Sequence, residues 1–141
     1  MSGEPTAPSW IQGYLEAINS HDGAKVTSFM TDDVVLTDFA LDERFEGPQA
    51  VSGFIEDTAE TFSTDYSFTA SQVVLAKDSY AYEWTMAGTN DRADEKRGLP
   101  STGKHFEFPG VSIGRLRDGK IYENHDYWNM ATLLTQLLSS S

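Results

Sequence analysis

The sequence predicts an α+β fold in which N-terminal helices cover one face of a curved, antiparallel sheet. Two observations carry this reading. Apolar residues recur at helical spacing up to about Asp65 and again after Met130, whereas the stretch between reads as long strands. Short polar turns punctuate that stretch, and short turns join antiparallel neighbours.

Trp10, Ile11, Tyr14, Leu15 and Ile18 mark a first helix over 9–20, with Ser9 as its N-cap. Asp22 opens a second, short helix through Met30. Val34 to Phe39 alternates and is β-branched, which predicts a strand closed by the turn Leu41-Asp-Glu-Arg44. Gly47-Pro48 starts a third helix, because proline at a first helical position gives up an N–H that has no partner there. Its apolar face carries Val51, Phe54 and Ile55. Three long strands follow, Tyr66 to Ala76, Tyr80 to Thr89 and Phe106 to Arg117. Lys77-Asp78-Ser79 turns the first into the second, and Arg117-Asp118-Gly119 leads into a last strand, Lys120 to Trp128. Asp-Gly is a strong hairpin signal because both residues tolerate the positive φ of a tight turn. A final helix spans Met130 to Leu138. The segment 90–103 breaks the alternation with six charges and predicts either a rim over a site or an exposed hairpin. The polar residues 1–8 read as a flexible tail, leaving 9–141 as one domain.

A chain of 141 residues can bury roughly 70% of its unfolded surface and needs no staples. It has no cysteine, so disulfides and thiolate sites are excluded. The three histidines, at 21, 105 and 125, show no metal-ligand spacing, and no metal or redox cofactor is expected. Ten Lys and Arg against 22 Asp and Glu give a net charge of −12, which opposes phosphate backbones and anionic lipid. Neither nucleic acid nor a membrane is therefore an expected partner. No signal-peptide pattern and no run of about 18 apolar residues occurs, so the reading is a soluble, cytoplasmic protein. Between Asp32 and Asp65 ten acids face one base, Arg44, which reads as a solvated surface.

Strand alternation decides which side chains meet. Tyr80, Tyr82, Trp84 and Met86 share one face of their strand; Asn124, Asp126 and Trp128 share one face of the last. These two faces line one space, which Phe54 closes from the third helix. An ionised Asp126 among aromatic residues is costly unless it has a role or a partner. Burial raises its proton affinity, which suits proton transfer near neutral pH. Asp38, at a strand edge, is the second candidate acid. The opposite face carries Glu83, Thr85, Ile121, Glu123, His125 and Tyr127, a mixed surface that suits a second subunit. His125 is there either a ligand contact or an interface residue.

Tyr14-Leu-Glu-Ala-Ile-Asn-Ser-His-Asp22, Phe45-Glu-Gly-Pro-Gln-Ala50, Leu99-Pro-Ser-Thr-Gly103, Asp118-Gly-Lys-Ile121, His125-Asp126 and Leu134-Thr-Gln-Leu137 resemble the SnoaL-like polyketide cyclases of the nuclear transport factor 2-like superfamily. The resemblance implies a cone-shaped α+β barrel of the nuclear transport factor 2-like, cystatin-like kind. Three N-terminal helices would lie on the concave face of the sheet, and the molecule would be a homodimer. In those cyclases an aspartate near the end of the last strand is the acid/base of an aldol closure, and Asp126 matches it; a histidine on the preceding strand corresponds to Ser112. The chain is also similar to ketosteroid isomerases. Tyr14 matches their oxyanion-holding tyrosine and Asp38 their proton-moving aspartate, while their protonated acid falls near Ser112. Limonene-epoxide hydrolases are similar around 99–103 and His125-Asp126-Tyr127. Their second aspartate and arginine fall where this chain reads Trp84-Thr-Met86, and Arg92 and Asp94 keep the Arg-x-Asp spacing.

The expected function is binding of a small, apolar, carbonyl-bearing molecule, with cyclisation or isomerisation by proton transfer through Asp126 and Asp38. Tyr14 and Ser112 would donate hydrogen bonds to developing negative charge. Asn124 would contact the substrate, and Tyr82, Trp84, Met86, Phe54 and Trp128 would form the walls. The structural reading of Asp126 is instead a buried carboxylate held by Asn124, a tyrosine hydroxyl or an arginine. The alternative is a non-catalytic binding or interaction module, since this fold hosts many functions. Epoxide hydrolysis is the third reading.

Overall fold

Helix α1, Ser9–Asn19, turns Ile11, Tyr14, Ala17 and Ile18 inward, the i, i+3, i+4 stripe expected of an amphipathic helix. The computed structural model describes residues 9–139; the expectations of a tail over 1–8 and of an N-cap at the Ser9 side chain lie outside what is described. Helix α2, Gly23–Thr27, is capped by Asp22, whose carboxylate accepts from the amides of Ala24 and Lys25 at 3.0 and 3.3 Å. It stops short of Met30 because that residue already opens strand β1, Met30–Asp38.

The expected turn over 41–44 is tighter than its sequence indicated. Asp42 takes a positive φ of 56°, and Glu43–Glu46 then forms strand β2, antiparallel to β1 with Glu43 opposite Asp38. Helix α3, Pro48–Thr61, starts at proline as predicted, after Gly47 at a φ of 89°. The remaining elements are strands β3, Ser67–Leu75, β4, Ser79–Thr89, β5, His105–Arg117, and β6, Lys120–Trp128, and helix α4, Met130–Leu138. Asp118 and Gly119, at φ of 53° and 80°, turn β5 into β6 in the conformation the Asp-Gly pair favours.

The six strands form one sheet in the order β2-β1-β6-β5-β4-β3. It is antiparallel apart from the β1–β6 pair, which is parallel and sets Asp38 opposite Asp126. That parallel pair departs from the wholly antiparallel sheet expected. It arises because β1 comes from the helical half of the chain, reaching β6 across long sequence separation with no hairpin to reverse its direction. Helices α1, α2 and α3 pack against β1, β2 and β3, and α4 packs on β5. Ile11, Val26, Val34, Val51, Phe106 and Leu133 are fully buried in this layer. Among the described residues no helix is long and apolar enough to cross a membrane.

Two glycines on β5 shape the concave face. A Cβ at Gly110 would stand 2.3 Å from the Trp84 ring, and one at Gly114 would stand 2.2 Å from the Tyr80 ring. Trp84 and Tyr80, their cross-strand partners on β4, lie over the bare backbone of β5.

Candidate active site

The bent sheet and the helices enclose a cavity of about 130 Å³. Period-two alternation sends Tyr82, Trp84 and Met86 from β4 into it, Phe108 and Ser112 from β5, and Asn124, Asp126 and Trp128 from β6. Tyr14 enters from α1, Asp38 from β1, and Phe54 from α3. Every predicted site residue but one therefore meets in one space. The exception is His125. As the neighbour of Asp126 on a strand it points the other way, to the convex face, with its ring edge on Phe39 and its Nε2 3.8 Å from Glu123. It thus keeps the outward face that alternation predicted, and of its two expected roles, ligand contact or interface residue, the first is not met in this cavity.

Asp126 sits in a chain of hydrogen bonds. Its Oδ1 accepts from Ser112 Oγ at 2.6 Å and from Asn124 Nδ2 at 2.7 Å. Trp84 Nε1 in turn donates to Ser112 Oγ at 2.9 Å, and the Tyr80 hydroxyl donates to Asn124 Oδ1 at 2.5 Å. Trp84 reaches Ser112 because Gly110 leaves its ring room. Asp126 Oδ2 has no protein partner among the described residues. No fully buried polar side-chain atom there lacks one, so this oxygen opens on the cavity. Burial is the main force on the group and pushes its pKa up to about 6. The Ser112 and Asn124 hydrogen bonds pull it down, and the charge of Asp38 pushes it further up.

Asp38 is 4% exposed and more tightly held. Trp128 Nε1 donates to both its oxygens, at 3.0 and 2.9 Å, and the Leu41 amide donates to Oδ1 at 2.9 Å. Burial raises its pKa against these donors. Tyr14 is 3% exposed, and its hydroxyl has no protein partner among the described residues, so it too faces the cavity. Burial, followed by the neighbouring Tyr82 and Asp126, raises its pKa well above the usual phenol value.

The 90–104 segment is the rim that sequence reasoning allowed for, and it supplies residues that reasoning missed. Asp94, Arg97 and Leu99 line the cavity. Arg97 makes a two-pronged pair with Glu43 on β2, at 2.6 and 2.8 Å, and bonds Asp94 at 2.8 Å and Asp57 on α3 at 3.4 Å. Its guanidinium also stands 5.8 Å from the Phe54 ring centroid. The Arg-x-Asp spacing does not bring Arg92 and Asp94 together in the cavity; Arg92 is exposed, and Asp94 is held by Arg97. Among the described residues no three potential metal ligands converge.

An α+β cone whose apolar interior holds an acid on the last strand defines a class of small-molecule-binding domain. The chain belongs to the SnoaL-like domain family, whose sequence profile matches residues 11–124. No functionally curated protein matches it. Among solved structures it is similar to a protein with a ketosteroid isomerase-like fold from Catenulispora acidiphila in complex with trimethylamine. That pair shares 18% identity over 94% of each chain, with a TM-score of 0.81. It is also similar to IdmH from Streptomyces antibioticus, provisionally assigned as a polyketide cyclase, at 26% identity over 92% of this chain and 96% of that one, with a TM-score of 0.77. A further provisionally assigned polyketide cyclase, from Xanthomonas campestris, shares 25% identity over 92% of this chain and 94% of its own, with a TM-score of 0.76.

Proposed function

We propose that the protein binds a small apolar carbonyl compound and moves a proton on it without a cofactor, in a cyclisation or isomerisation of the kind its family relatives suggest. The observation that carries this reading is the free Oδ2 of Asp126, facing an apolar cavity on a group whose pKa is about 6. A base of that strength is half-ionised at about pH 6 and mostly ionised at neutral pH, close enough to neutrality for both the taking and the returning of a proton. Asp126 removes a proton from the carbon beside the carbonyl, and the electron pair of that C–H bond moves onto the oxygen. The Tyr14 hydroxyl, unpartnered and in the same cavity, donates a hydrogen bond to the oxyanion. The carbanion then takes the proton back from Asp126 at another carbon, or attacks a second carbonyl to close a ring, in which case the alkoxide so formed takes the proton from Asp126 and the base is restored. Asp38, beside Asp126 across the β1–β6 pair, is the second acid or base, and Ser112 and Asn124 orient Asp126. Tyr82, Trp84, Met86, Phe54 and Trp128 exclude water from the enolate.

The test is turnover of a β,γ-unsaturated ketone by wild type, Asp126→Asn and Asp38→Asn. Loss of the acid/base lowers kcat by about 10²–10⁴-fold in Asp126→Asn. Equal rates in all three end the proposal and leave a binding module.

The homodimer belongs to the same reading. Phe39, Ile113 and Tyr127 are 48, 47 and 44% exposed on the convex face; Phe39 stacks on Tyr127, and His125 lies opposite Ile113 in the ladder. A contiguous apolar patch of this kind fits a two-fold contact. Sedimentation of wild type as a dimer and of Ile113→Glu as a monomer is the expected result.

A further inference from the structure

Two of the three acids lining the cavity, Asp38 and Asp126, lack a counter-charge, and the walls around them are of the kind that receives one. Asp38 accepts from an indole and an amide, and Asp126 from a hydroxyl and a side-chain amide, all neutral donors. Among the described residues neither has a Lys, Arg or His within ion-pair distance. Buried carboxylates are rarely left without a cation. The guanidinium that lines the cavity, Arg97, is already shared among Glu43, Asp57 and Asp94. A second observation is independent of the acids: Tyr14, 3% exposed, turns an unpartnered hydroxyl into the same space. A third is the wall itself. Trp84, Phe108 and Trp128 run side by side, with ring centroids 6.1 and 5.0 Å apart, and aromatic faces attract cations.

We infer that this cavity is a binding site for an organic ammonium ion, a small cation with apolar substituents whose charge lies between Asp38 and Asp126 and whose alkyl groups rest on the aromatic wall. An anion of the same size meets repulsion from both carboxylates and finds no free cation in compensation. The inference shares the cavity of the proposed reaction but concerns binding, which is read without turnover.

The cation competes with the proton for the acid pair. The groups around Asp126 are Asp38 from β1, Tyr14 from α1, Tyr80 and Tyr82 from β4, Ser112 from β5, and Asp94 and Arg97 from the rim; α3 and α4 offer uncharged residues such as Phe54, Thr58 and Leu133. The three phenols stay neutral, since burial raises their pKa values above the usual one. Binding therefore tightens as the pH rises through about 6, where Asp126 ionises.

The experiment is calorimetric titration of the full chain with three probes of one shape: choline, the alcohol in which carbon replaces choline's nitrogen, and tert-butylacetate. At about pH 8, choline is expected to bind saturably and about tenfold or more tighter than the alcohol, and tert-butylacetate more weakly than either. Choline affinity falls below about pH 6 and its advantage over the alcohol is lost in Asp126→Asn, with circular dichroism confirming that variant's fold. An alcohol that matches choline, a choline isotherm that does not saturate, or one indifferent to pH overturns the inference. If Asp126→Asn does not fold, the three probes and the pH series on wild type decide. Choline preference without ketone turnover sinks the proposed reaction and keeps this site; turnover without choline preference does the reverse.

Discussion

Acids gather at two places, inside the cavity along the β1–β6 pair and around Arg97 at its rim, where Asp94 alone lines the cavity, and the two are held in opposite ways. At the rim Glu43, Asp57 and Asp94 share Arg97, and the guanidinium beside Glu43 holds that carboxyl below its usual range. Along β1–β6, Asp38 and Asp126 have only neutral donors, and burial pushes both upward. Carboxyls are thus held ionised by a cation at the rim and driven toward the protonated form by burial without one inside the cavity. The difference lies in what faces the acids and in their burial, since the Glu43 and Asp57 side chains are 26 and 39% exposed while Asp38 is 4% exposed.

The largest blow to this contrast is Arg97→Met. It leaves three acids facing each other with no cation, and a drop of about 3 kcal/mol in unfolding free energy at neutral pH is expected by chemical denaturation. The loss shrinks in acid, because the orphaned carboxyls then take up protons. A drop within about 0.5 kcal/mol would make the rim an ordinary solvated surface.

Asp126→Asn acts in the other direction on stability. Its carboxyl ionises near 3.8 when unfolded and at about 6 when folded, so the ionised form is disfavoured by the fold. That penalty is full above about pH 6 and fades as the pH falls toward the unfolded value. The variant is therefore expected to be more stable than wild type at about pH 8, by about 2 kcal/mol, and to lose that advantage near pH 4. Thermal denaturation at the two pH values checks it, and a destabilised variant at the higher one would mean that Asp126 is structural.

Ser112→Ala is the finest probe. It removes a donor that favours the carboxylate form, so the Asp126 titration followed by NMR moves above about 6. It also leaves the Trp84 indole N–H without its acceptor, costing about 1 kcal/mol. An unchanged titration would assign the pKa to burial alone.

Which parts of this were legible in the sequence follows from the range of the forces involved. The convergence of Tyr82, Trp84, Asn124, Asp126 and Trp128 was readable because alternation is a local rule. The same rule rejects His125 from the cavity once Asp126 is placed inside. Asp118-Gly119 and Pro48 were readable because each fixes its own dihedrals. Arg97 was not, because its partners lie up to 54 residues away and a charged loop has no period to show which charge turns inward. The parallel β1–β6 pair, which brings Asp38 beside Asp126, has no local signature either. Nor did strand β2, whose Glu43 and Arg44 looked like turn residues until paired with β1.

Gly110 and Gly114 connect fold to chemistry through missing atoms. A methyl group at position 110 would drive the Trp84 ring aside and with it the indole that bonds Ser112, the donor to Asp126. The acid strength of a carboxyl on the neighbouring strand is thus tied to a hydrogen atom on a backbone carbon, and a chain that filled that spot with alanine would have to retune that carboxyl by other means.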